Sequence, residues 1–393
     1  MWGKHSWAIL FAFALAPLGI GQTAKDLKLE TGEEIFQATC AGCHGPDGKG
    51  QAQHILGFEP PATFPDFTDC SGSSRESDQQ WSAVIHRGGT ARAFSTIMPS
   101  FGPKENPALT DEEIQRVIKY VRTFCDEEKQ KWPSGDFNVP RPMYTEKAFP
   151  EDEQVFMNQV NLSGGAGYTA NYILEKRFGA ITNMEFRFRG NFLKQPTPGQ
   201  PQGLWQGAMG DTTVEYKRSI LVNNRTKSLI GWGSEILVPT GNHNVGGTGA
   251  WELEQFLTYT QILPKRFYFL QQVGAEGPFK RHDDPIQAYA RTTFGRTFLA
   301  DRGFGRAISF ASEFITTRNF ASRQNWTLSI VPQAQITVSQ RQHMRLGIGY
   351  NIPVIKGPPN PGIIINPVNS QQFSFYWLWD HFDGGFFEGW KSR

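Results

Sequence analysis

Two cysteines and a histidine near the start of the chain have a spacing that supports redox chemistry. Cys40 and Cys43 stand three positions apart, and His44 follows directly. Two thiols at this spacing can add to both vinyl groups of one haem, and the adjacent imidazole can then bind the iron as its proximal ligand. A redox disulfide or half of a zinc site are the alternatives for such a pair. Because the sequence has no second close cysteine pair and no βαβ context around this one, we predict one covalently bound haem c.

The residues on both sides of this motif predict the helices and turns that would hold it. Thr31 to Cys40 has the pattern of a short helix with Ile35 and Phe36 on its apolar face, and Gly45 to Gly50 has the composition of a tight turn. Further on, Thr110 and Glu113 form a capping box. The helix that it opens has apolar residues at spacings of three and four: Ile114, Val117, Ile118, Val121 and Phe124.

This order resembles the class I cytochrome c family over about residues 28–126. The shared features are an N-terminal helix, the C-x-x-C-H-G motif, a Met-Pro loop at Met98 and Pro99, and a C-terminal helix that carries Tyr120. The resemblance implies an all-α electron-transfer domain, assigned to residues 25–126, with Met98 as the distal iron ligand. A thioether ligand raises the reduction potential, whereas the competing distal ligands, His54 and His86, would lower it.

The first 24 residues have the pattern of a secretory signal peptide. The stretch from Trp7 to Gly21 is almost wholly apolar, but it is shorter than the roughly 20 residues that a membrane-spanning helix needs. Cleavage after Gly21 or after Ala24 is expected, and an uncleaved N-terminal anchor is the alternative. We therefore predict an exported protein whose haem domain lies in the periplasm.

The two remaining cysteines, Cys70 and Cys125, both lie in the cytochrome-like segment. Paired thiols tend to form disulfides in the oxidising compartments that exported proteins reach. We therefore expect a Cys70–Cys125 disulfide, with free buried thiols as the alternative. Most cytochromes of this class lack such a bridge, so it would be a departure from the family.

The composition of the whole chain limits its architecture and its partners. A chain of 393 residues suggests about two domains, and a formal net charge of +2 gives no electrostatic reason to expect a nucleic-acid partner. Residues 127–160 begin with a charged run and continue with widely spaced prolines, which predicts an extended linker. Aromatic residues make up 13% of the chain, an excess that needs a structural reason.

From residue 161 to 393 the chain alternates apolar and polar residues in segments of about ten. In one segment Leu346 and Ile348 alternate with Arg345 and Gly347. The same pattern recurs at 184–189, 214–222, 230–238, 251–259 and 372–380. The segment length suits a tilted strand that crosses a bilayer, and aromatic residues near the segment ends suit an interfacial girdle. We predict a transmembrane antiparallel β-barrel of about 10–12 strands; a soluble β-domain with one wet face is the alternative.

A short motif supports the barrel. The sequence from Ser234 to Asn242, which contains Pro239-Thr240-Gly241, is similar to outer-membrane barrels of the phenol-degradation-pathway or transporter-like family. That resemblance implies a pore for a small solute, of which an aromatic one is an example. The segment from Asp383 to Arg393 departs from the family because it would follow the last strand as a tail. We interpret Arg281 to Asp284 as a solvated hairpin loop.

These patterns together predict a multidomain protein, in which a small all-α cytochrome c domain precedes an antiparallel β-barrel in the outer membrane. Its function would be electron transfer to or from an unidentified redox partner protein, and its barrel would contact outer-membrane lipid. Two alternatives are an outer-membrane pore with an accessory cytochrome and an electron-delivery subunit of an oxidoreductase. No Ser/His/Asp set or carboxylate pair is interpreted as catalytic, so we expect an electron carrier without substrate chemistry of its own.

Overall fold

The computed structural model describes most of the chain beyond the predicted signal peptide. The described residues are 29–50, 64–105, 108–127, 129–163, 165–197, 200–280, 286–298, 307–320, 326–341, 344–357 and 370–381. The predictions for residues 1–24, for His54, for Arg281 to Asp284 and for the tail from Asp383 lie outside these residues.

The N-terminal part of the described chain is helical. Its helices are α1 (Gly32–Thr39), α2 (Ala41–His44), α3 (Cys70–Ser73), α4 (Asp78–Arg87) and α5 (Asp111–Val121). Thr31 and Thr110 form the capping boxes of α1 and α5. The two helices cross closely at Gly32, where a Cβ atom would lie 2.1 Å from the Arg116 carbonyl oxygen. No helix among the described residues combines the length and the apolar composition that a membrane crossing requires.

The rest of the described chain is one antiparallel sheet that closes on itself. Its strands are β1 (Glu153–Asn161), β2 (Gly167–Phe178), β3 (Thr182–Thr197), β4 (Gln200–Met209), β5 (Thr212–Asn223), β6 (Ser228–Val238), β7 (Glu252–Leu263), β8 (Phe267–Pro278), β9 (Gln287–Phe298), β10 (Ile308–Asn319), β11 (Trp326–Thr337), β12 (Met344–Ile355) and β13 (Gln372–Asp380). Strand β1 pairs with β13 as well as with β2, so the sheet is a barrel. The predicted fold class is confirmed.

The barrel has twelve strand positions because β4 and β5 share one of them. Strand β3 pairs with β5 through residues 182–187 and with β4 through residues 190–197. A break at Gly210 and Asp211 separates β4 from β5 along the same edge of β3. Twelve positions lie within the predicted range, and the number is even, as is usual for outer-membrane barrels.

The first strand lies within the segment for which composition predicts a linker. Strand β1 begins at Glu153, and its buried residues Val155 and Met157 alternate with the exposed Phe156. This is the period-two pattern of a strand. It is short and directly follows a proline-rich stretch, so composition alone does not reveal it.

The side chains of the strands alternate between an apolar outer face and a polar inner face. On β12, Leu346 and Ile348 are 42% and 52% exposed, whereas Arg345 and Asn351 are buried. Val222 does not follow the predicted alternation. A bulge at Ile220 shifts the register after Ser219 and turns Val222 inward, where it packs near Phe137.

The two ends of the barrel differ in their connections. At one end, which we call the short-turn end, three connections have only three or four residues: 179–181 between β2 and β3, 224–227 between β5 and β6, and 264–266 between β7 and β8. At the opposite, long-loop end, β6–β7 and β12–β13 are joined through residues 239–251 and 356–371.

Residues 138–152 pass through the interior of the barrel, and we call them the lumen segment. They contain no helix or strand and are largely buried: Lys147, Ala148 and Phe149 are 1%, 0% and 3% exposed. Composition predicts an extended chain here. It does not predict what covers that chain, because the covering strands lie far away in sequence.

Candidate haem-binding site

The three residues of the predicted haem motif lie on one turn. Cys40 ends α1 and precedes α2, which contains Cys43 and His44. The backbone N–H groups of Cys43 and His44 donate to the Cys40 carbonyl oxygen at 3.1 and 2.9 Å. Both thiols are free; Cys40 is half-buried and Cys43 is exposed. The turn therefore presents two thiols and an imidazole together.

The imidazole of His44 is half-buried and packs against two aromatic rings. The centroids of Phe64 and Phe67 each lie 4.9 Å from that of His44, and Phe64 is stacked on it at 7°. Burial lowers the pKa of His44 to about 4, so the ring is neutral at pH 7. Its Nδ1 is buried and has no hydrogen-bond partner among the described residues.

These donors fit a covalently bound haem. A neutral imidazole has one ring nitrogen with a free lone pair, which is the form that binds a metal ion. Burial raises the pKa of the Cys40 thiol, whose sulfur lies 3.3 Å from the Thr39 hydroxyl. The apolar surroundings of Cys40 and His44 suit a macrocycle that is itself apolar.

Met98 lies in the loop between the 3-10 helix Gly89–Arg92 and α5. It is half-buried, and its carbonyl oxygen accepts a hydrogen bond from the Gly89 N–H at 3.2 Å. Gly88 has a φ of +75°, and a Cβ atom there would lie 2.7 Å from the Met98 carbonyl oxygen. The absence of a side chain at Gly88 therefore allows the Met98 loop to pack against the end of α4.

His86, one of the alternative distal ligands, has another partner. Its Nε2 lies 3.0 Å from a carboxylate oxygen of Asp111, the first residue of α5. The same ring borders Gly102, which would place a Cβ atom 3.6 Å from the His86 Nδ1. His86 thus contacts the start of α5.

Cys70 and Cys125 form a disulfide in the structure. Their Cα atoms are 5.3 Å apart, and the two residues are 3% and 1% exposed. The bond joins α3 to the turn that follows α5, and so ties the middle of the helical domain to its end.

The helical domain contacts the lumen segment and the residues just before it. The Gly135 N–H donates to the Ser74 carbonyl oxygen at 2.6 Å, and the Asp78 N–H donates to an Asp136 carboxylate oxygen at 3.1 Å. Arg75 forms an ion pair with Asp152 at 3.4 Å. These contacts hold the domain over the chain that enters the barrel.

A second contact joins the helical domain to the β11–β12 connection at the short-turn end. The Gln340 amide donates to the Thr90 carbonyl oxygen at 2.6 Å, and the Arg341 guanidinium donates to the Ala93 carbonyl oxygen at 3.1 Å. The same guanidinium lies 5.1 Å from the centroid of the Phe94 ring. Residues 90–94 lead directly to the Met98 loop, so the barrel contacts the segment that carries the predicted distal ligand.

Sequence reasoning predicted a polar inner face of the barrel but missed its contacts with the lumen segment. Arg141 of the lumen segment forms ion pairs with Glu153 at 2.6 Å and Glu175 at 2.5 Å. On β10, the Glu313 carboxylate accepts hydrogen bonds from the backbone N–H groups of Met143 and Thr145 at 2.5 and 2.9 Å. Glutamates at inward positions of the strands could have indicated that the lumen contains partners for them. The sequence does not show which buried segment provides those partners.

Comparisons with known proteins agree with the helical domain. Residues 29–124 match the family model for cytochrome c. The chain is also 28% identical over 114 residues to the Cbb3-type cytochrome c oxidase subunit CcoP of Rhodobacter capsulatus; the match covers 26% of this chain and 32% of that subunit. The chain thus matches about a third of that relative's length. The helical part is a cytochrome c domain, as predicted.

Solved structures similar to the barrel include an outer-membrane channel and porins. One is an outer-membrane channel from Pseudomonas putida F1, with a TM-score of 0.44 and 11% identity over 61% of this chain and 99% of that one. Another is the NanC porin, with a TM-score of 0.41 and 10% identity over 58% of this chain and 98% of that one. The specific family of the barrel stays a prediction.

Proposed function

We propose that this chain is an electron-transfer protein that carries one haem c at the short-turn end of an outer-membrane β-barrel. The observation that carries the proposal is the turn of Cys40, Cys43 and His44, where two free thiols stand beside a half-buried, neutral imidazole. The contacts of this domain with Asp152 and Arg341 support its attachment to the barrel.

Each site residue has a distinct role in this proposal. Cys40 and Cys43 would hold the haem through thioether bonds, and His44 and Met98 would ligate its iron. Haem bound in this way supplies single-electron chemistry, with iron changing between two oxidation states. Phe64 and the other rings around His44 exclude water from the proximal side, and the packing at Gly88 and Gly89 holds the Met98 loop in place.

The outer face of the barrel supports a membrane location. It exposes large apolar side chains on strands all around the circumference, among them Phe188, Ile236, Leu257, Phe310, Ile348 and Trp377. In outer-membrane barrels the short turns face the periplasm. The haem domain, which contacts the short-turn end, would then be periplasmic, in accord with the signal peptide predicted for residues 1–24.

The lumen segment favours electron transfer over solute transport. An open pore needs a water-filled interior, whereas buried residues such as Lys147 and Ala148 occupy the interior of this barrel. The barrel then serves as an anchor for the haem. The redox partner is a protein of unidentified class, and an oxidoreductase that receives the electrons is compatible with the same site.

Covalent attachment is tested by replacing both thiols. In Cys40→Ser/Cys43→Ser, we expect complete loss of the haem that survives denaturing electrophoresis, because no thioether can form. The measurement is a peroxidase stain for haem on the gel. Cys70→Ser/Cys125→Ser is the matched control and should keep the stain. Full staining of the Cys40/Cys43 variant would refute the assignment.

The distal ligand is tested by spectroscopy. The oxidised protein should show the weak far-red charge-transfer band of methionine sulfur bound to ferric haem, and Met98→Ala should abolish the band and lower the reduction potential. His86→Ala should change neither, because His86 contacts Asp111. If Met98→Ala leaves the band in place, another residue is the distal ligand.

A further inference from the structure

The β11–β12 connection, residues 338–343, is a part of the barrel that reaches the haem domain next to the predicted distal ligand. Hydrogen bonds close the base of this connection. The Val338 N–H donates to the Met344 carbonyl oxygen at 2.9 Å, and the Met344 N–H donates to the Ser339 hydroxyl at 2.9 Å. Arg341 is 7% exposed although it belongs to a connection between strands. The barrel therefore presents a buried arginine on a hydrogen-bonded turn.

On the haem domain, this arginine contacts a strained turn. Ala93 follows the 3-10 helix Gly89–Arg92 and has a φ of +53°, in the left-handed region that residues with a side chain rarely adopt. Its carbonyl oxygen accepts hydrogen bonds from Nε and Nη2 of Arg341 at 3.3 and 3.1 Å. A strained backbone of this kind persists only where the surrounding structure holds it in place. Arg341, whose guanidinium also lies 5.1 Å from the centroid of the Phe94 ring, supplies part of that hold.

Two hydrogen bonds of Gly89 connect that turn to the predicted iron ligand. The Phe94 N–H donates to the Gly89 carbonyl oxygen at 3.0 Å, and the Gly89 N–H donates to the Met98 carbonyl oxygen at 3.2 Å. Residues 89–98 thus form a closed loop, which we call the distal loop. A Cβ atom at Gly89 would lie 2.2 Å from the Ser95 carbonyl oxygen, so the loop is closely packed. Movement of the strained turn would therefore shift the backbone of Met98.

A second side chain of the connection contacts the same loop. Gln340 is exposed, and its amide donates to the Thr90 carbonyl oxygen at 2.6 Å. Both contacts are made to backbone carbonyl groups, so they fix the path of the chain through the distal loop. A charged donor forms a stronger hydrogen bond than a neutral one. We therefore expect Arg341 to contribute more than Gln340 to the position of the loop.

We propose that Arg341, together with Gln340, is a positioning residue for the haem, because it holds the distal loop so that the Met98 sulfur stays on the iron. The inference rests on the proposed function, since it requires Met98 as the distal ligand. A methionine ligand raises the reduction potential. A distal loop that opens more often would leave the iron without this ligand for more of the time. The barrel thus tunes the potential of the haem in addition to anchoring it.

Added imidazole measures how often the distal loop opens in the full, haem-loaded chain in detergent. Imidazole binds the ferric iron only after Met98 has left it, so the apparent affinity is the intrinsic affinity multiplied by the open fraction. Loss of the far-red charge-transfer band reports the exchange of ligands. Arg341→Ala should bind imidazole about tenfold more tightly than the wild type, which is the effect expected from loss of a hydrogen bond to a charged group. Its reduction potential should also be lower.

Lys227→Ala is the matched control. Lys227 lies on the β5–β6 turn at the same end of the barrel, and its ammonium group lies 2.7 Å from Asp136, which contacts the start of α4. The distal loop follows the other end of α4, so the imidazole affinity of this variant should match that of the wild type. Gln340→Ala removes a neutral donor and should raise the affinity by about threefold. If Arg341→Ala does not form the heat-modifiable barrel, Gln340→Ala decides the test, and an unchanged affinity would overturn the proposal.

Equal imidazole affinity of the wild type and Arg341→Ala would also overturn the proposal. An equal increase in Arg341→Ala and Lys227→Ala would do the same, because docking in general would then stabilise the haem site. A wild type without the far-red band would instead refute Met98 as the distal ligand, which is part of the proposed function.

Hydrogen exchange provides a second readout that does not depend on the iron ligand. The N–H groups of Gly89 and Phe94 close the distal loop, and they exchange with solvent only when the loop opens. Their exchange should be faster in Arg341→Ala than in the wild type or in Lys227→Ala. Unchanged exchange at both amides would mean that Arg341 does not hold the loop, whichever residue is the distal ligand.

Discussion

The cytochrome c domain and the barrel bury opposite kinds of side chain. The core of the helical domain is apolar, with Ile35, Phe36 and Ile114 at most 1% exposed, and the half-buried imidazole of His44 is neutral. The barrel places its apolar residues outside and buries Lys217 and Glu175 at 1% and 0% exposure. The interior of the helical domain is thus mainly apolar, with Arg92 as a buried charged exception at 2% exposure, whereas the barrel has to pair or compensate many charges in its lumen.

Among the substitutions that test this difference, Arg141→Ala should cause the largest loss of stability. Arg141→Ala removes the partner of Glu153 and Glu175, and the loss of one member of a buried ion pair costs about 3–5 kcal/mol. The measurement is the urea dependence of the heat-modifiable, folded form on gels. Lys176→Ala is the control; Lys176 is 57% exposed and pairs with Asp152 at 3.0 Å. Such a surface pair contributes about 1 kcal/mol or less. Equal effects of the two changes would mean that the lumen is hydrated.

In the helical domain the corresponding change is loss of the disulfide. Cys70→Ser/Cys125→Ser opens a link between residues 55 positions apart, which lowers the free energy of unfolding by about 2–4 kcal/mol, because the unfolded chain gains freedom. Guanidinium unfolding, followed through haem absorbance, measures it. The heat-modifiable form of the barrel should be unaffected. If the guanidinium concentration at the midpoint of haem-domain unfolding does not change, the bond has no stabilising role.

The outer face of the barrel is tested by two exposed positions at different depths on β12. Ile348 and Ile355 are 52% and 49% exposed, but Ile348 lies near the middle of the strand and Ile355 at its end. Arginine on the lipid face costs about 2–4 kcal/mol at the midplane and about 0–1 kcal/mol near the interface. Ile348→Arg should therefore reduce the folded, membrane-inserted fraction, and Ile355→Arg should retain it. Equal membrane insertion of the two variants would indicate that the outer face of the barrel contacts water instead of lipid.

The same contrast explains how much of the molecule could be predicted from sequence. Helix α5 follows from neighbouring residues, namely the capping box at Thr110 and the apolar spacing from Ile114 to Val121, and the haem motif is equally local. The outer and inner faces of β12 also follow from its alternation. The pairing of Arg141 with Glu175 does not, because it depends on strand register and on the path of the lumen segment. The bulge at Ile220 likewise moves Val222 to the inner face of the barrel wall, and no neighbouring residue predicts that bulge.

We propose that one chain both carries a covalent haem and is fixed in the outer membrane by its barrel. The most direct measurement is electrophoresis of outer membranes after carbonate extraction, with heated and unheated samples stained for haem. We expect one haem-stained band that resists extraction and changes mobility on heating, because a folded barrel and its attached haem migrate together. A haem-stained species of this chain that is released into the soluble periplasmic fraction would contradict it.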